Sequence, residues 1–142
     1  MSYVFDKNDI FYLNLKLSHK LRRRVQNKFK AYDISFEQWY ILHFIYQNEG
    51  CNQNKLSKAT HKDSGAMTRS LNTLENKGLI ERKKSYHDKR EYLIYLTDKG
   101  KDLYNKTSEL MSQNAQEIKS IFSESELRQY ESLLNKLDSY LD

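Results

Sequence analysis

The chain has 142 residues, enough for about one domain with a core of its own. With 38% hydrophobic and 30% charged residues, its composition is that of a globular protein and excludes a disordered one. No apolar run approaches the roughly 18–20 residues that cross a bilayer, and the N-terminus lacks a signal-peptide pattern. The single Cys51 permits no internal disulfide. We therefore expect a cytoplasmic protein without membrane contact.

The net charge of +5 is distributed unevenly along the chain. Residues 1–33 hold eight Lys/Arg and three Asp/Glu, residues 34–100 hold eleven and eight, and residues 101–142 hold five and eight. The first two segments are therefore basic and the last is acidic. A basic surface suits a polyanionic partner, although many basic proteins never meet a nucleic acid.

Two helices are predicted in the first third of the chain. Residues 10–30 carry apolar side chains at steps of three or four, the pattern of an amphipathic helix: Ile10, Leu13, Leu17, Leu21, Val25 and Phe29. Ser35 and Gln38 then form a capping box that opens a second helix. This helix is apolar on nearly every face, so we expect it to be buried and to end at Gly50 as its C-terminal cap.

Two shorter helices are predicted next. Residues 52–59 form the first, with Leu56 and Ala59 facing inward. The turn THKDSG follows, in which Asp63 or Ser64 can cap the next helix. That helix covers residues 66–77, ends at Gly78, and places three apolar side chains on one face: Met67, Leu71 and Leu74.

The strand-like runs of the sequence are LIERKK and EYLIYL, separated by SYHDKR. The second run alternates with a period of 2, with Tyr92, Ile94 and Leu96 on one face, which predicts a β-hairpin. After Gly100 the helical period returns, and a second capping box opens a last amphipathic helix with the residues Ser123 and Glu126. The fold class is therefore mainly α with a small β-hairpin wing, a winged helix-turn-helix with flanking helices.

The second helix of a helix-turn-helix fits the major groove of DNA. With the apolar face turned inward, five residues are expected outward and near DNA: Ser64, Gly65, Thr68, Arg69 and Asn72. Arg69 can bond guanine bidentately, and Thr68 or Asn72 can reach bases or phosphates. Gly65 permits close backbone approach, and Ser64 can offer a hydroxyl to phosphate. The alternative interpretation of this face is an ordinary solvated helix surface.

The stretch from Leu56 to Gly100 resembles the MarR family of transcription regulators. The matching pieces are LSKA, DSGAMTR opening the recognition helix, LENKGLIER entering the wing, the D-x-R of DKR, and LTDKG leaving the wing. The resemblance implies a homodimer on a palindromic site in double-stranded DNA. Residues 34–100 would form the winged DNA-binding domain, and the helices of residues 1–33 and 101–142 would form the dimer body.

The resemblance also implies roles for individual residues of the wing. Arg90 would enter the minor groove, oriented by Asp88, although a surface salt bridge is the alternative for this pair. Lys83, Lys84 and Lys89 are expected to contact phosphates.

Family members commonly bind phenolic or other lipophilic anions between the dimer body and the DNA-binding domain. The resemblance therefore implies a small-molecule pocket here, which would be lined by Lys16, Lys20, Trp39, Tyr40 and His43. The alternative is that the aromatic residues, which recur at helical spacing, are part of the core.

The sequence thus predicts a sequence-specific, homodimeric repressor that a small ligand or signal releases from DNA. A non-enzymatic architectural or protein-interaction protein of the same fold is the alternative.

We find no paired carboxylates, nucleophile–base set or phosphate loop in the sequence, so we predict neither an enzyme nor a cofactor. The four His are scattered without metal-ligand spacing, so no metal site is predicted. Cys51, placed at the start of the third helix, is expected to be a packed or idle thiol rather than a redox sensor.

Overall fold

The computed structural model describes residue 6 and residues 8–142. Its helices are α1 (Ile10–Phe29), α2 (Phe36–Gln47), α3 (Gln53–Thr60), α4 (Ser64–Asn76), α5 (Asp98–Lys119) and α6 (Glu124–Leu141). Its strands are β1 (Cys51–Asn52), β2 (Ile80–Lys84) and β3 (Tyr92–Leu96), and a single 3-10 turn at Lys30–Tyr32 follows α1. The predicted mainly α fold with a hairpin wing is confirmed.

Side-chain caps begin the helices where the sequence places them. The Ser35 hydroxyl accepts a hydrogen bond from the Gln38 backbone N–H at 3.1 Å, and the Gln38 side chain accepts one from the Ser35 N–H at 3.2 Å. Ser123 and Glu126 form the same reciprocal pair at the start of α6. Each pair satisfies donors that the first helical turn leaves free.

The end of α2 differs from the prediction. The helix ends at Gln47 with Asn48 as its cap, not at Gly50. Gly50 instead adopts a φ of +81°, and its N–H donates to the carbonyl of Ile94 in β3 at 2.9 Å. Gly50 therefore turns the chain from α2 into the sheet, a backbone conformation that glycine tolerates without a steric penalty.

The core of the winged domain lies between α2, α3, α4 and the sheet. The predicted inward face of α4 is fully buried at Met67, Leu71 and Leu74. The other large side chains with almost no exposure are Phe29, Ile41, Leu42, Ile45, Leu56 and Ile94. The expectation that α2 is buried on nearly every face is too strong, since Tyr40 is 39% exposed and Tyr46 is 46% exposed.

The three strands form an antiparallel sheet in the order β1-β3-β2. The sequence did not predict β1, in which Cys51 pairs with Ile94, so Cys51 belongs to a strand and not to the start of α3. Ile94 and Leu96 are buried as expected, but Tyr92 is 47% exposed. Tyr92 pairs with Lys84 at the far end of the hairpin, where the sheet has passed the edge of the core.

The described residues fall into two compact units, within Met1–Ser108 and Glu109–Asp142. In the first unit, the Thr97 side chain donates to the carbonyl of Gly78 at 2.6 Å, and the Thr97 N–H donates to the carbonyl of Leu79 at 3.1 Å. These bonds fix the first turn of α5 against the segment between α4 and β2. In the second unit, Phe122 stacks on Tyr130 with ring centroids 5.6 Å apart.

Candidate functional site

The outward face of α4 presents polar side chains to solvent. Asp63 caps the helix by accepting a hydrogen bond from the Ala66 N–H at 2.8 Å. Because one face of α4 is buried in the core, the opposite face is exposed, and it brings together the five residues that the sequence predicted there: Ser64, Gly65, Thr68, Arg69 and Asn72. They lie on the first three turns of the helix.

The Thr68 hydroxyl already has two partners within the protein. It donates to the Ser64 carbonyl at 2.9 Å and accepts a hydrogen bond from the Gln53 side-chain amide at 2.7 Å. Gln53 lies in the first turn of α3, so this contact joins the two helices of the helix-turn-helix. The hydroxyl has one remaining lone pair, and it can only accept a further hydrogen bond.

The wing loop between β2 and β3 holds the predicted Asp88 and Arg90 pair together. The Asp88 carboxylate accepts the backbone N–H of Arg90 at 2.9 Å and approaches its Nε at 3.5 Å, while the Arg90 side chain is 93% exposed. The buried Ser85 fixes this loop, because its hydroxyl accepts the N–H groups of His87 and Asp88 and its own N–H donates to Glu91. Arg90 is thus fixed at its backbone and free to extend at its tip.

The three predicted wing lysines are all exposed, but their surroundings differ. Lys83 lies 3.5 Å from a Glu81 carboxylate oxygen, and its ammonium is 5.2 Å from the centroid of the Tyr95 ring. Lys84 pairs with Tyr92 at the end of β2, and Lys89 lies in the wing loop. Lys83 and Lys84 are consecutive in β2 and therefore project from opposite faces of the sheet, whereas Lys89 places its charge in the wing loop.

A polar cleft of about 460 Å³ separates the start of α4 from the wing. Its walls come from the beginning of α3, from α4, from β2 and from the wing loop, and include Gln53, Ser64, Arg82, Asp88 and Arg90. The structure therefore brings Ser64 of the predicted helix face and the predicted Asp88 and Arg90 of the wing to one cleft. Gln53 and Arg82 were not among the predicted site residues.

Arg82 is the most connected side chain of this surface. Its Nε and Nη2 donate to the two carboxylate oxygens of Glu75 at 3.0 Å each, and Nη2 also donates to the Asn72 side-chain oxygen at 2.8 Å. The hydrogen bond from Arg82 lowers the pKa of Glu75, and the same bond raises the pKa of Arg82. The alternation of β2 offered one signal for this role, because Arg82 is two residues from the buried Ile80, on the same face of the strand.

The five predicted pocket residues lie on α1 and α2. Trp39 is buried and stacks on His43 and Tyr104, with centroids 5.1 Å and 6.0 Å away, and His43 Nδ1 lies 2.7 Å from the Tyr104 hydroxyl oxygen. Trp39 is thus part of the core and the half-buried His43 packs against it, while the ligand pocket stays a prediction. Lys16 and Lys20 are exposed on α1. Tyr40 faces a separate groove of about 260 Å³.

Cys51 is buried, and burial raises the pKa of its thiol, against the opposing charge of Lys55. In the part of the chain that the structure describes, no group of three or more His, Cys, Asp or Glu side chains is placed to hold a metal ion. None of the described helices is long and apolar enough to cross a membrane.

Comparisons with known proteins agree with this geometry. A model of the MarR family matches residues 32–91. The HTH-type transcriptional regulator BilQ of Clostridium symbiosum (strain WAL-14163) is 34% identical over 104 residues, which are 73% of this chain and 72% of that protein. The organic hydroperoxide resistance transcriptional regulator of Bacillus subtilis (strain 168) is 28% identical over 104 residues, 73% of this chain and 71% of that protein.

Solved structures of two regulators bound to DNA, MepR and MarR, superimpose on nearly the whole chain. The S. aureus MepR–DNA complex has a TM-score of 0.88 and 30% identity, covering 96% of this chain and 100% of that chain. A mutant of MarR from E. coli, complexed with operator DNA, has a TM-score of 0.87 and 28% identity, covering 96% of this chain and 99% of that one.

Proposed function

Because the chain belongs to the MarR family, we propose that it is a homodimeric repressor that binds a palindromic operator in double-stranded DNA and is released by a small ligand or signal. The relatives named above are transcriptional regulators, and MepR and MarR have been solved with DNA, which supports DNA binding as the activity. The function resides in the winged domain, and the dimer sets how two such domains face one site.

The single observation that supports this proposal best is the surface shared by α4 and the wing. Ser64 at the start of α4 and Asp88 and Arg90 of the wing loop line one polar cleft, and the exposed face of α4 continues from Ser64 through Thr68, Arg69 and Asn72. A recognition helix in the major groove and a cation in the adjacent minor groove require this juxtaposition. An ordinary solvated helix has no need of a neighbouring loop that fixes an arginine through its own carboxylate.

Each part of this surface has its own task in the proposal. Arg69 supplies two parallel donors that fit guanine O6 and N7. Lys83, Lys84 and Lys89 neutralise phosphates, a contribution that is independent of sequence and weakens as salt is added. Arg90, held by Asp88, occupies the minor groove, whose negative potential deepens where the groove is narrow.

The terminal helices support the proposed dimer. Along α1 the buried residues are Val25 and Phe29, near its end, whereas the apolar side chains before them are 40% exposed or more: Ile10, Phe11, Leu13, Leu15, Leu17 and Leu21. On α6, which has no buried residue, the exposed apolar side chains are Tyr130, Leu133, Leu134, Tyr140 and Leu141. A monomer rarely leaves apolar helix faces of this length open to water, and a second copy of the chain would cover each of them.

A two-fold dimer places its two recognition helices about one DNA turn apart, roughly 34 Å, and its operator is therefore palindromic. Release by a ligand then needs no new contact with DNA. A phenolic or lipophilic anion that binds more tightly to dimers with mis-spaced winged domains would shift the population away from the DNA-bound form. Tyr40, one of the five predicted pocket residues, lines an open groove beside Arg22 and Phe36.

The proposal is tested by selecting bound sequences from a random pool of DNA duplexes, followed by affinity measurements over a range of salt concentrations. We expect a palindrome with half-sites about one helical turn apart and an affinity that falls steeply with salt. Salt-dependent binding without any sequence preference would support the architectural alternative instead. Absence of binding at low salt would refute DNA recognition altogether.

A further inference from the structure

Arg82 contacts the predicted recognition face from the side, without belonging to it. It lies in β2 opposite Ile94 of β3, and its side chain is 23% exposed. From there its guanidinium reaches α4 at two places one helical turn apart, Glu75 and Asn72. Ile94 is buried in the core, so the strand position of Arg82, which pairs with Ile94, is held in place.

The bond to Asn72 determines how its side-chain amide is turned. A guanidinium has only donors, so the Asn72 atom that faces it at 2.8 Å must be the oxygen, Oδ1. The NH₂ group of the same planar amide then points away from Arg82. A flipped amide would place two donors against a cation and would forfeit a charge-assisted hydrogen bond.

Glu75 in turn fixes Arg82. Two nearly parallel hydrogen bonds of 3.0 Å hold the guanidinium against the carboxylate, a geometry that restricts both its position and the plane of the fork. The order of contacts is therefore Glu75, Arg82, Asn72, and the last of these is exposed on the outward face of α4.

We propose that Arg82 is a positioning residue for base recognition: by holding Asn72 Oδ1, it presents the Asn72 NH₂ group to DNA and so disfavours cytosine at the contacted position. This inference rests on the proposed function, since it assumes that α4 enters the major groove. An NH₂ group pairs with acceptors, which purines offer at N7, guanine at O6 and thymine at O4, whereas cytosine presents its N4–H₂ donors.

The test compares base preferences by selection from a random duplex pool, using the full chain. The unchanged protein should show one position in each half-site where cytosine is depleted about fivefold or more, and Asn72→Ala should lose that depletion. Arg82→Met frees the amide to flip. The frequency of cytosine among the selected sequences should therefore rise at that position, while the base preferences at other positions stay the same. Combining Arg82→Met with Asn72→Ala should give the same profile as Asn72→Ala alone, because Arg82 acts through Asn72.

Arg82→Lys is the second variant in case Arg82→Met folds poorly, as a melting curve would show. Lys keeps the charge but has one ammonium instead of a fork, so it cannot hold both Glu75 oxygens and Asn72 together, and cytosine should again return. Lys83→Met, on the neighbouring position of β2, is the matched control. It removes a cation without touching Asn72 and should weaken all sequences alike.

A readout without DNA separates this inference from the proposed function. In the free protein, the Asn72 side-chain NH₂ resonances should shift on Arg82→Met and on Arg82→Lys, and not on Lys83→Met. If Asn72→Ala leaves every preference unchanged, if the Arg82 variants keep cytosine depleted, or if the free-protein resonances do not respond, the inference is wrong while DNA binding stands. If the unchanged protein binds no duplex, the proposed function fails and the inference fails with it.

Discussion

The substitution of Gly100 by Ala tests how the start of α5 is attached to the winged domain. Gly100 lies in the first turn of α5, and a Cβ built on it would be 2.0 Å from the backbone oxygen of Leu79 and 3.0 Å from its carbonyl carbon. Both are backbone atoms, so no side-chain rotation can relieve the overlap. The start of α5 or the segment before β2 must therefore move by about 1 Å or more.

The magnitude follows from what this movement disturbs. Overpacking of this kind costs about 1–3 kcal/mol. The two Thr97 bonds, to the carbonyls of Gly78 at 2.6 Å and Leu79 at 3.1 Å, would each lose part of the roughly 0.5–1.5 kcal/mol that such a bond contributes. The better helix propensity of Ala offsets about 1 kcal/mol at most. We expect Gly100→Ala to lower the free energy of unfolding by about 2–4 kcal/mol.

Urea denaturation at one fixed protein concentration measures this effect, since the stability of the proposed dimer would depend on concentration. The matched control is Gly65→Ala in the first turn of α4. A Cβ there would lie 3.4 Å from Asp63 Oδ1 and 3.7 Å from Arg69 Nη1, ordinary contacts, so its stability should stay within about 1 kcal/mol of the unchanged protein. A Gly100→Ala protein with the same urea midpoint as the Gly65→Ala control would refute the steric reasoning.

The remaining predictions concern base recognition, one ion pair and the thiol. Arg69→Ala should relax base preference at one position by about 1–3 kcal/mol, whereas Lys84→Ala should weaken specific and random duplexes alike; competition binding distinguishes them, and a uniform loss in both would remove Arg69 from base recognition. Because the bond from Arg82 lowers the pKa of Glu75, the ionised carboxylate stabilises the fold above its ordinary pKa of 4.5, and this contribution disappears as the pH falls through the lowered pKa. Glu75→Gln should therefore cost less than about 1 kcal/mol at pH 7, with a difference that vanishes in acid, as urea titrations across that range would show; a difference independent of pH would contradict the ionic cause. Burial raises the pKa of Cys51, so a thiol reagent at pH 7 should label the native protein about tenfold or more slowly than the urea-unfolded chain, and equal rates would contradict its burial.

The helices and the hairpin could be predicted because neighbouring residues dictate them. Capping boxes such as Ser35–Gln38 act within four residues, and the inward face of α4 follows from apolar spacing alone. Once Met67 and Leu71 are known to face inward, the outward position of Arg69 is fixed by helix geometry. The prediction of that exposed face therefore required no knowledge of the rest of the chain.

What could not be predicted depends on partners distant in sequence. The two residues of β1 are too short to show a period, and they become a strand only because Ile94, 43 residues later than Cys51, offers an edge to pair with. Likewise, the contact of Trp39 and His43 with Tyr104 could not be predicted from α2, because Tyr104 lies on α5. Aromatic spacing on one helix cannot reveal which element covers it.

Asn52 shows why the wing keeps a defined position beside α4. Its backbone pairs with Leu93 in β3, its side-chain oxygen caps α3 by accepting the Lys55 N–H at 2.8 Å, and its side-chain NH₂ donates to Glu91 at 2.5 Å. One residue thus joins the sheet, the first helix of the helix-turn-helix and the base of the wing loop. With Gly50 also bonded to Ile94, the wing is held from the end of α2 as well as by its own hairpin. A two-stranded hairpin alone is marginally stable in water, so these added bonds are what make the wing a fixed arm rather than a loose one.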